Sequence, residues 1–157
     1  MATSPQLGKR VAVIGASGYG GLQTLRLLQG HPELSVTFLG GERSSGKRWS
    51  ELTPFLPLPG DPVVQSPDPE AIAAAADLAV LSLPNGLAAQ MVPGLLEHGV
   101  KVVDLSADYR YRSLSQWQEV YAAEARQVPR SDVELCREAV YGLVEWEEAR
   151  IRAARLV

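Results

Sequence analysis

Three regularly spaced glycines mark the part of the sequence best suited to bind an anion. Gly15, Gly18 and Gly21 lie three residues apart in the stretch "GASGYGG". The run "VAVI" before them is typical of a buried strand, and "LQTLRLL" after them has leucines at helical spacing. At such a turn the first N–H groups of the helix point outward with the positive end of the helix dipole behind them. The pattern therefore predicts a site for the pyrophosphate of a dinucleotide, with a tight turn that binds no ligand as the alternative.

Each glycine of this motif has its own expected role. We expect Gly15 to make the turn, Gly18 to let the phosphates approach, and Gly21 to let the helix pack on the sheet. A glycine inside a helix costs roughly 1 kcal/mol relative to alanine, so three of them indicate that bare backbone is needed here.

The loop after the second predicted strand indicates which dinucleotide binds. An acid in this position suits the ribose 2′-hydroxyl of NAD, whereas basic residues suit the 2′-phosphate of NADP. The stretch "LGGERSSGKR" has one acid, Glu42, among residues that suit a phosphate. Those residues are Arg43, Ser44, Ser45, Lys47 and Arg48. The loop therefore favours NADP, with a solvated basic loop as the alternative.

Strand-like and helix-like segments alternate along the chain, which positions these loops. Strands are predicted over 10–15, 35–40, 78–84, 100–106 and 139–143, with a further strand beginning at 155. Helices are predicted over 20–30, 69–77, 86–99, 113–121 and 145–154, and residues 40–69 are mostly loop. The alternation predicts an α/β, doubly wound, mainly parallel sheet with helices on both faces.

Composition excludes several classes of protein. A length of 157 residues with 46% hydrophobic residues suits one domain, 1–157, with its own core. The net charge of -3 argues against general nucleic-acid binding, and one cysteine, Cys136, excludes an internal disulfide or a thiolate zinc cluster. No apolar run approaches the roughly 20 residues that span a bilayer, and the N-terminus lacks the apolar core of a signal peptide. We expect a soluble, cytoplasmic protein without a metal site.

Four stretches together point to a known family. With "GASGYGG", "SLPNGLAA", "VVDLSADYR" and "EAVYGL", the sequence resembles the N-terminal part of the N-acetyl-γ-glutamyl-phosphate reductases from about Arg10 to Val157. These arginine-pathway enzymes are relatives of aspartate-semialdehyde dehydrogenase. The resemblance implies a Rossmann-like NADP-binding domain, followed by an α+β catalytic and dimerisation domain through which the family forms homo-oligomers. It also implies NADPH-dependent reduction of N-acetyl-glutamyl phosphate, a small acyl phosphate, to N-acetylglutamate semialdehyde with release of phosphate.

The resemblance also implies which residues contact the ligands. On the cofactor side these are Gly15, Ser17, Gly18, Tyr19, Gly20, Gly21, Ser44, Ser45, Pro84, Asn85 and Gly86, to which the basic loop adds Arg43. The family usually has His where Asn85 stands, and both side chains can donate a hydrogen bond. Ser106 and Arg110 match the segment that faces the substrate phosphate. For Arg110, a structural ion pair with Asp104 or Asp108 is the alternative.

The family nucleophile is not among these residues. It is a Cys in an Asn-Pro-Gly-Cys segment that follows the strand beginning "RLV", so we expect no catalytic residue within 1–157 and an inactive fragment. Cys136 lies in a helical context and is expected to be a small apolar residue. A non-catalytic dinucleotide-binding module is one alternative function. An extended short-chain dehydratase or epimerase is another, although no Tyr here has the required Lys four positions later.

Overall fold

A computed structural model of the chain describes residues 8–121 and 129–157. At its centre is a parallel sheet of four strands in the order β2-β1-β3-β4. The strands are β1 (Lys9–Ile14), β2 (Leu34–Gly40), β3 (Leu78–Leu81) and β4 (Lys101–Asp104). Because β1 and β3 are central, their side chains are buried on both faces, which explains the continuous apolar runs in the sequence.

Helices connect the strands and cover both faces of the sheet. They are α1 (Tyr19–Leu28), α2 (Trp49–Leu52), α3 (Pro69–Ala75), α4 (Ala88–Glu97), α5 (Leu114–Tyr121), α6 (Val133–Glu138) and α7 (Val144–Ala153), with a 3-10 turn at Glu42–Ser44. Alternate residues of β1 divide between two apolar cores, because successive side chains of a strand point to opposite faces. Val11 and Val13 pack with Leu25 of α1, whereas Ala12 and Ile14 pack with residues of α3, α4 and α5.

The predicted fold class is confirmed, and one predicted strand is wrong. Residues 139–143 form an irregular connection in which the Leu143 N–H donates to the Tyr141 carbonyl at 2.8 Å. The edge of β4 is taken instead by Leu156, which forms an isolated parallel bridge with Val102. The predicted strand beginning at 155 is therefore present as a bridge, and residues 139–143 lie on its far side, where the Val140 N–H donates to the Leu156 carbonyl at 3.1 Å but no ladder forms.

The connections at the carboxyl ends of the strands lie on one edge of the sheet. In a parallel sheet with right-handed crossovers, this edge is where the crevice for a ligand forms. The loops after β1, β2, β3 and β4 carry the predicted site residues, except Tyr19, Gly20 and Gly21, which form the first turn of α1. No helix in the described part of the chain is long and apolar enough to cross a membrane.

Candidate functional site

The turn between β1 and α1 needs glycine at two positions because of the protein's own backbone. Gly15 has φ of 77°, and its N–H donates to the Gly40 carbonyl at 2.8 Å. A Cβ on Gly15 would overlap the carbonyl oxygen of Ser82, and a Cβ on Gly21 would overlap the backbone of Gly15 and Ala16. Gly15 therefore makes the turn and Gly21 brings α1 close to it, as the sequence predicts.

Gly18 is less tightly enclosed than Gly15 or Gly21. Its φ of -80° suits any residue, and an added Cβ would make one close contact, at 3.3 Å from the Gly15 carbonyl oxygen, which a small shift of the turn would relieve. Gly18 is the N-cap of α1, and no side chain of the described residues makes a capping hydrogen bond there. This bare, exposed helix start is the geometry that admits a phosphate group.

A cleft of about 720 Å³ opens beside this turn. It lies between the start of α1, the loop after β2 and the turn after β3. Six of the predicted cofactor residues line it: Gly15, Ser17, Gly18, Arg43, Ser44 and Pro84. Three further lining residues were not predicted from the sequence: Ser82, directly after β3, and Gln90 and Met91 of α4. Nothing in the local sequence distinguishes such cleft-lining residues from residues that pack in the core.

The other predicted cofactor residues lie outside the cleft lining. Tyr19 is 93% exposed at the first position of α1, and a Cβ on Gly20 would meet the Ser82 hydroxyl at 2.5 Å. Asn85 and Gly86 lie behind the cleft wall and contact the loop after β4. Ser45 is exposed beyond the 3-10 turn.

The 3-10 turn after β2 decides which basic residue faces the cleft. Arg43 is exposed and lines the cleft, whereas Ser44 is buried beneath it with its hydroxyl 3.4 Å from the Gly41 carbonyl oxygen. Arg48 is directed elsewhere and lies 3.8 Å from the Asp61 carboxylate. Of the five phosphate-suited residues, Arg43 is thus the cation at the cleft.

A second pocket of about 440 Å³ is lined by the loop after β4, including Asp104, Ser106 and Arg110. The Ser106 hydroxyl donates to the Asp104 carboxylate at 2.8 Å and accepts from the Asp108 N–H at 3.1 Å. Burial raises the pKa of Asp104 to about 6, although hydrogen bonds from Ser106 oppose this shift. Because Ser106 has a single proton and gives it to Asp104, Arg110 has the freer donors for an anion.

Arg110 does not form either of the ion pairs considered from the sequence. One of its terminal nitrogens donates to the Tyr121 hydroxyl at 2.8 Å, and its guanidinium lies 5.8 Å from the centre of that ring. Asp108 is instead wholly buried near Arg130, whose side chain is 2% exposed. The structure thus leaves Arg110 exposed at the pocket rim, where the resemblance places a phosphate ligand.

Cys136 is buried as expected and is poorly suited to nucleophilic attack. Its exposed fraction is 0%, and burial raises the pKa of its thiol, which disfavours the reactive thiolate. Among residues 8–121 and 129–157, no group of three His, Cys, Asp or Glu side chains is arranged to hold a metal ion.

The cleft fits a dinucleotide in shape and chemistry. Gly18 lies at an open helix start, which is the kind of geometry that suits a pyrophosphate, and Glu42 and Arg43 line the side of the cleft formed by the loop after β2. The apolar side chains of Leu83, Leu87 and Met91 complete the wall on the β3 side. The individual contacts remain predictions.

Comparison with known proteins gives the family. The model of the semialdehyde dehydrogenase NAD-binding domain matches residues 10–154. The chain is 72% identical over 148 residues to an N-acetyl-gamma-glutamyl-phosphate reductase of Parasynechococcus marenigrum (strain WH8102), covering 94% of this chain and 42% of that protein. The reductase of Prochlorococcus marinus (strain MIT 9211) is 53% identical over 157 residues, covering 100% of this chain and 44% of that one. The chain thus spans less than half the length of these curated relatives.

A solved structure shows the same relationship. The crystal structure of aspartate semialdehyde dehydrogenase with NADP from Candida albicans is 31% identical, with a TM-score of 0.59 over 66% of this chain and 31% of that chain. The glycine turn, the parallel sheet and the cleft at its carboxyl edge agree with these matches. The chain belongs to the semialdehyde dehydrogenase family as its NAD-binding, Rossmann-type domain.

Proposed function

We propose that this chain binds NADP and forms the cofactor-binding part of an N-acetyl-γ-glutamyl-phosphate reductase. The observation that carries the proposal is the cleft at Gly15 and Gly18, in a chain 72% identical to a protein of that name. NADPH, when bound, supplies the hydride that converts an acyl phosphate to an aldehyde. This chain's residues bind and orient it, with Gly18 facing the pyrophosphate and Arg43 the 2′-phosphate.

The substrate side of the proposal rests on the second pocket. Arg110 would contact the phosphate of the acyl phosphate through its guanidinium, whose fixed donors suit that group. Ser106 would contribute once its hydroxyl turns from Asp104. The rest of the reductase would supply the nucleophile and the second domain, through which we expect a homo-oligomer to form in the cytoplasm. The length of the relatives supports this division, since the chain matches only 42% of the most similar one described above.

NADPH and NADH titrations of Arg43→Ala and Lys47→Ala test the cofactor assignment. We expect the wild-type chain to bind NADPH more tightly, and Arg43→Ala to reduce that preference by about 1.5–3 kcal/mol, the value of a hydrogen bond to a charged group. Lys47→Ala is the matched control, because Lys47 lies outside the cleft lining and its loss should leave the preference unchanged. Equal affinity of the wild type for both nucleotides would contradict the assignment.

A further inference from the structure

Asp108 links the dinucleotide cleft to the loop that carries Ser106 and Arg110. Its carboxylate is wholly buried and accepts from the Gly86 N–H at 2.7 Å and from the Ala89 N–H at 3.0 Å. These two N–H groups lie at the start of α4, on the turn after β3. Asp108 therefore caps α4 from a position about 20 residues later in the chain.

A second hydrogen bond runs in the opposite direction between the same two loops. The Asn85 side-chain oxygen accepts from the Ala107 N–H at 3.0 Å. Each loop thus supplies one side chain that binds the backbone of the other. Because Pro84 and Leu87 line the cleft on either side of these contacts, the hydrogen bonds connect the cleft wall to residues 106–108.

Arg130 fixes the other side of Asp108. It donates to the Asp108 carbonyl at 2.8 Å, lies 3.8 Å from the Asp108 carboxylate, and binds Asp132 through two nitrogens at 3.0 and 2.7 Å. Its guanidinium also lies 4.3 Å from the centre of the Trp117 ring. A buried carboxylate held by two N–H groups and near a fixed cation belongs to a satisfied polar network, and such networks are rigid.

We propose, building on the function proposed above, that Asp108 is a positioning residue that couples the dinucleotide cleft to the substrate-phosphate loop. Contact of the dinucleotide with the turn at Pro84 and Leu87 sets the orientation of residues 106–110 through the Asp108 carboxylate. The dinucleotide cleft and the substrate-phosphate loop are then coupled, so that binding in the cleft orients the loop.

The test follows the amide resonances of the ¹⁵N-labelled 157-residue chain during titration with NADP⁺. In the wild type, we expect the resonances of residues 85–89 and of residues 106–110 to shift together with one saturation curve. In Asp108→Asn the side-chain NH₂ faces one of the two backbone donors, so one hydrogen bond is lost. At saturating NADP⁺, the response of 106–110 should be lost while that of 85–89 persists.

Asp77→Asn is the matched control. Asp77 also accepts from a backbone N–H, that of Arg10, and binds its guanidinium, but at the amino end of the sheet. This variant should keep both responses. Such a result would show that the effect of Asp108→Asn is not a general consequence of losing a carboxylate that binds the backbone. If Asp108→Asn does not fold, Asp108→Glu takes its place, because it keeps the charge beside Arg130 but displaces the carboxylate from the Gly86 and Ala89 N–H groups, and the response of 106–110 should again be lost.

Three results would overturn the proposal. Residues 106–110 could fail to respond in the wild type, or could respond in Asp108→Asn as they do in the wild type, or could do so in Asp108→Glu when that is the variant used. Absence of any NADP⁺ response in the wild type would overturn the proposed function and this inference with it. Binding without a response in 106–110 would overturn the inference alone.

Discussion

Helices α1 and α4 begin at the same edge of the sheet, after the neighbouring strands β1 and β3, yet their first turns differ. The start of α4 is closed by the Asp108 carboxylate, which takes the N–H groups of Gly86 and Ala89. The start of α1 at Gly18 has no side-chain cap among the described residues. A helix start already occupied by a carboxylate repels a phosphate, so of these two described helices it is α1 that is open to an anion from outside.

The largest expected effect comes from removing the cation beside Asp108, the residue that caps α4. Arg130→Met leaves Asp108 and Asp132 buried beside no cation, which should lower the free energy of unfolding by about 3–5 kcal/mol. Urea denaturation measures this value. Arg150→Met is the control, because that arginine forms an exposed pair with Glu147 at 2.9 Å and its loss should cost less than about 0.5 kcal/mol. Equal stability of the two variants would show that Asp108 does not depend on Arg130.

A substitution at the start of α1 should have the opposite effect, because nucleotide binding should be lost while the fold is kept. Gly18→Val places a branched side chain at the open helix start, so NADP⁺ binding measured by calorimetry should be lost. Since the added Cβ would approach the Gly15 carbonyl oxygen at 3.3 Å without overlapping it, the free energy of unfolding should fall by no more than about 1–2 kcal/mol. Gly21→Val, whose Cβ would overlap the backbone, should instead destabilise the fold. Normal NADP⁺ affinity in Gly18→Val would remove α1 as the phosphate site.

A smaller effect is expected from the carboxyl group of Asp104, at the end of β4, four residues before Asp108. Asp104 is half-buried, and desolvation raises its pKa to about 6 in the folded state, above the roughly 3.9 expected when unfolded. The folded state then holds more protons between these values, so the free energy of unfolding should fall as pH rises from 4 to 6. The fall should be about 2 kcal/mol and should level off above pH 6. Asp104→Asn should lack this contribution in denaturation curves recorded across that range, and an unchanged pH profile would contradict it.

Local patterns were enough to predict most of the fold. β1 and α1 follow from an apolar run, glycines and leucine spacing, because each of these acts within a few residues. The failure at residues 139–143 has a different cause. Whether a short apolar run becomes a strand depends on which edge is free, and Leu156 occupies the edge beside Val102.

The same difference between local and long-range contacts explains which features of the site could be predicted from the sequence. Gly15 and Gly21 have the predicted backbone roles because a turn is a local structure. Asp108 and Arg130 were missed as a pair because their contact joins residues 22 positions apart, and "SADYR" alone favours Arg110 as the partner of that acid. From the basic loop the sequence selected Arg43, which lines the cleft, but it could not show that Lys47 and Arg48 lie outside the lining, because that depends on the 3-10 turn.

The strand order also has a consequence for synthesis on the ribosome. β1 is central, and its second neighbour β3 comes much later, as the contact of Arg10 with Asp77 across 67 residues shows. At typical translation rates, about 3 to 13 s pass between the emergence of these two strands. Through that interval the nascent chain exposes an apolar strand edge with no partner, which is the kind of surface that chaperones bind. The domain's yield in cells should therefore depend on how fast codons 15–77 are translated.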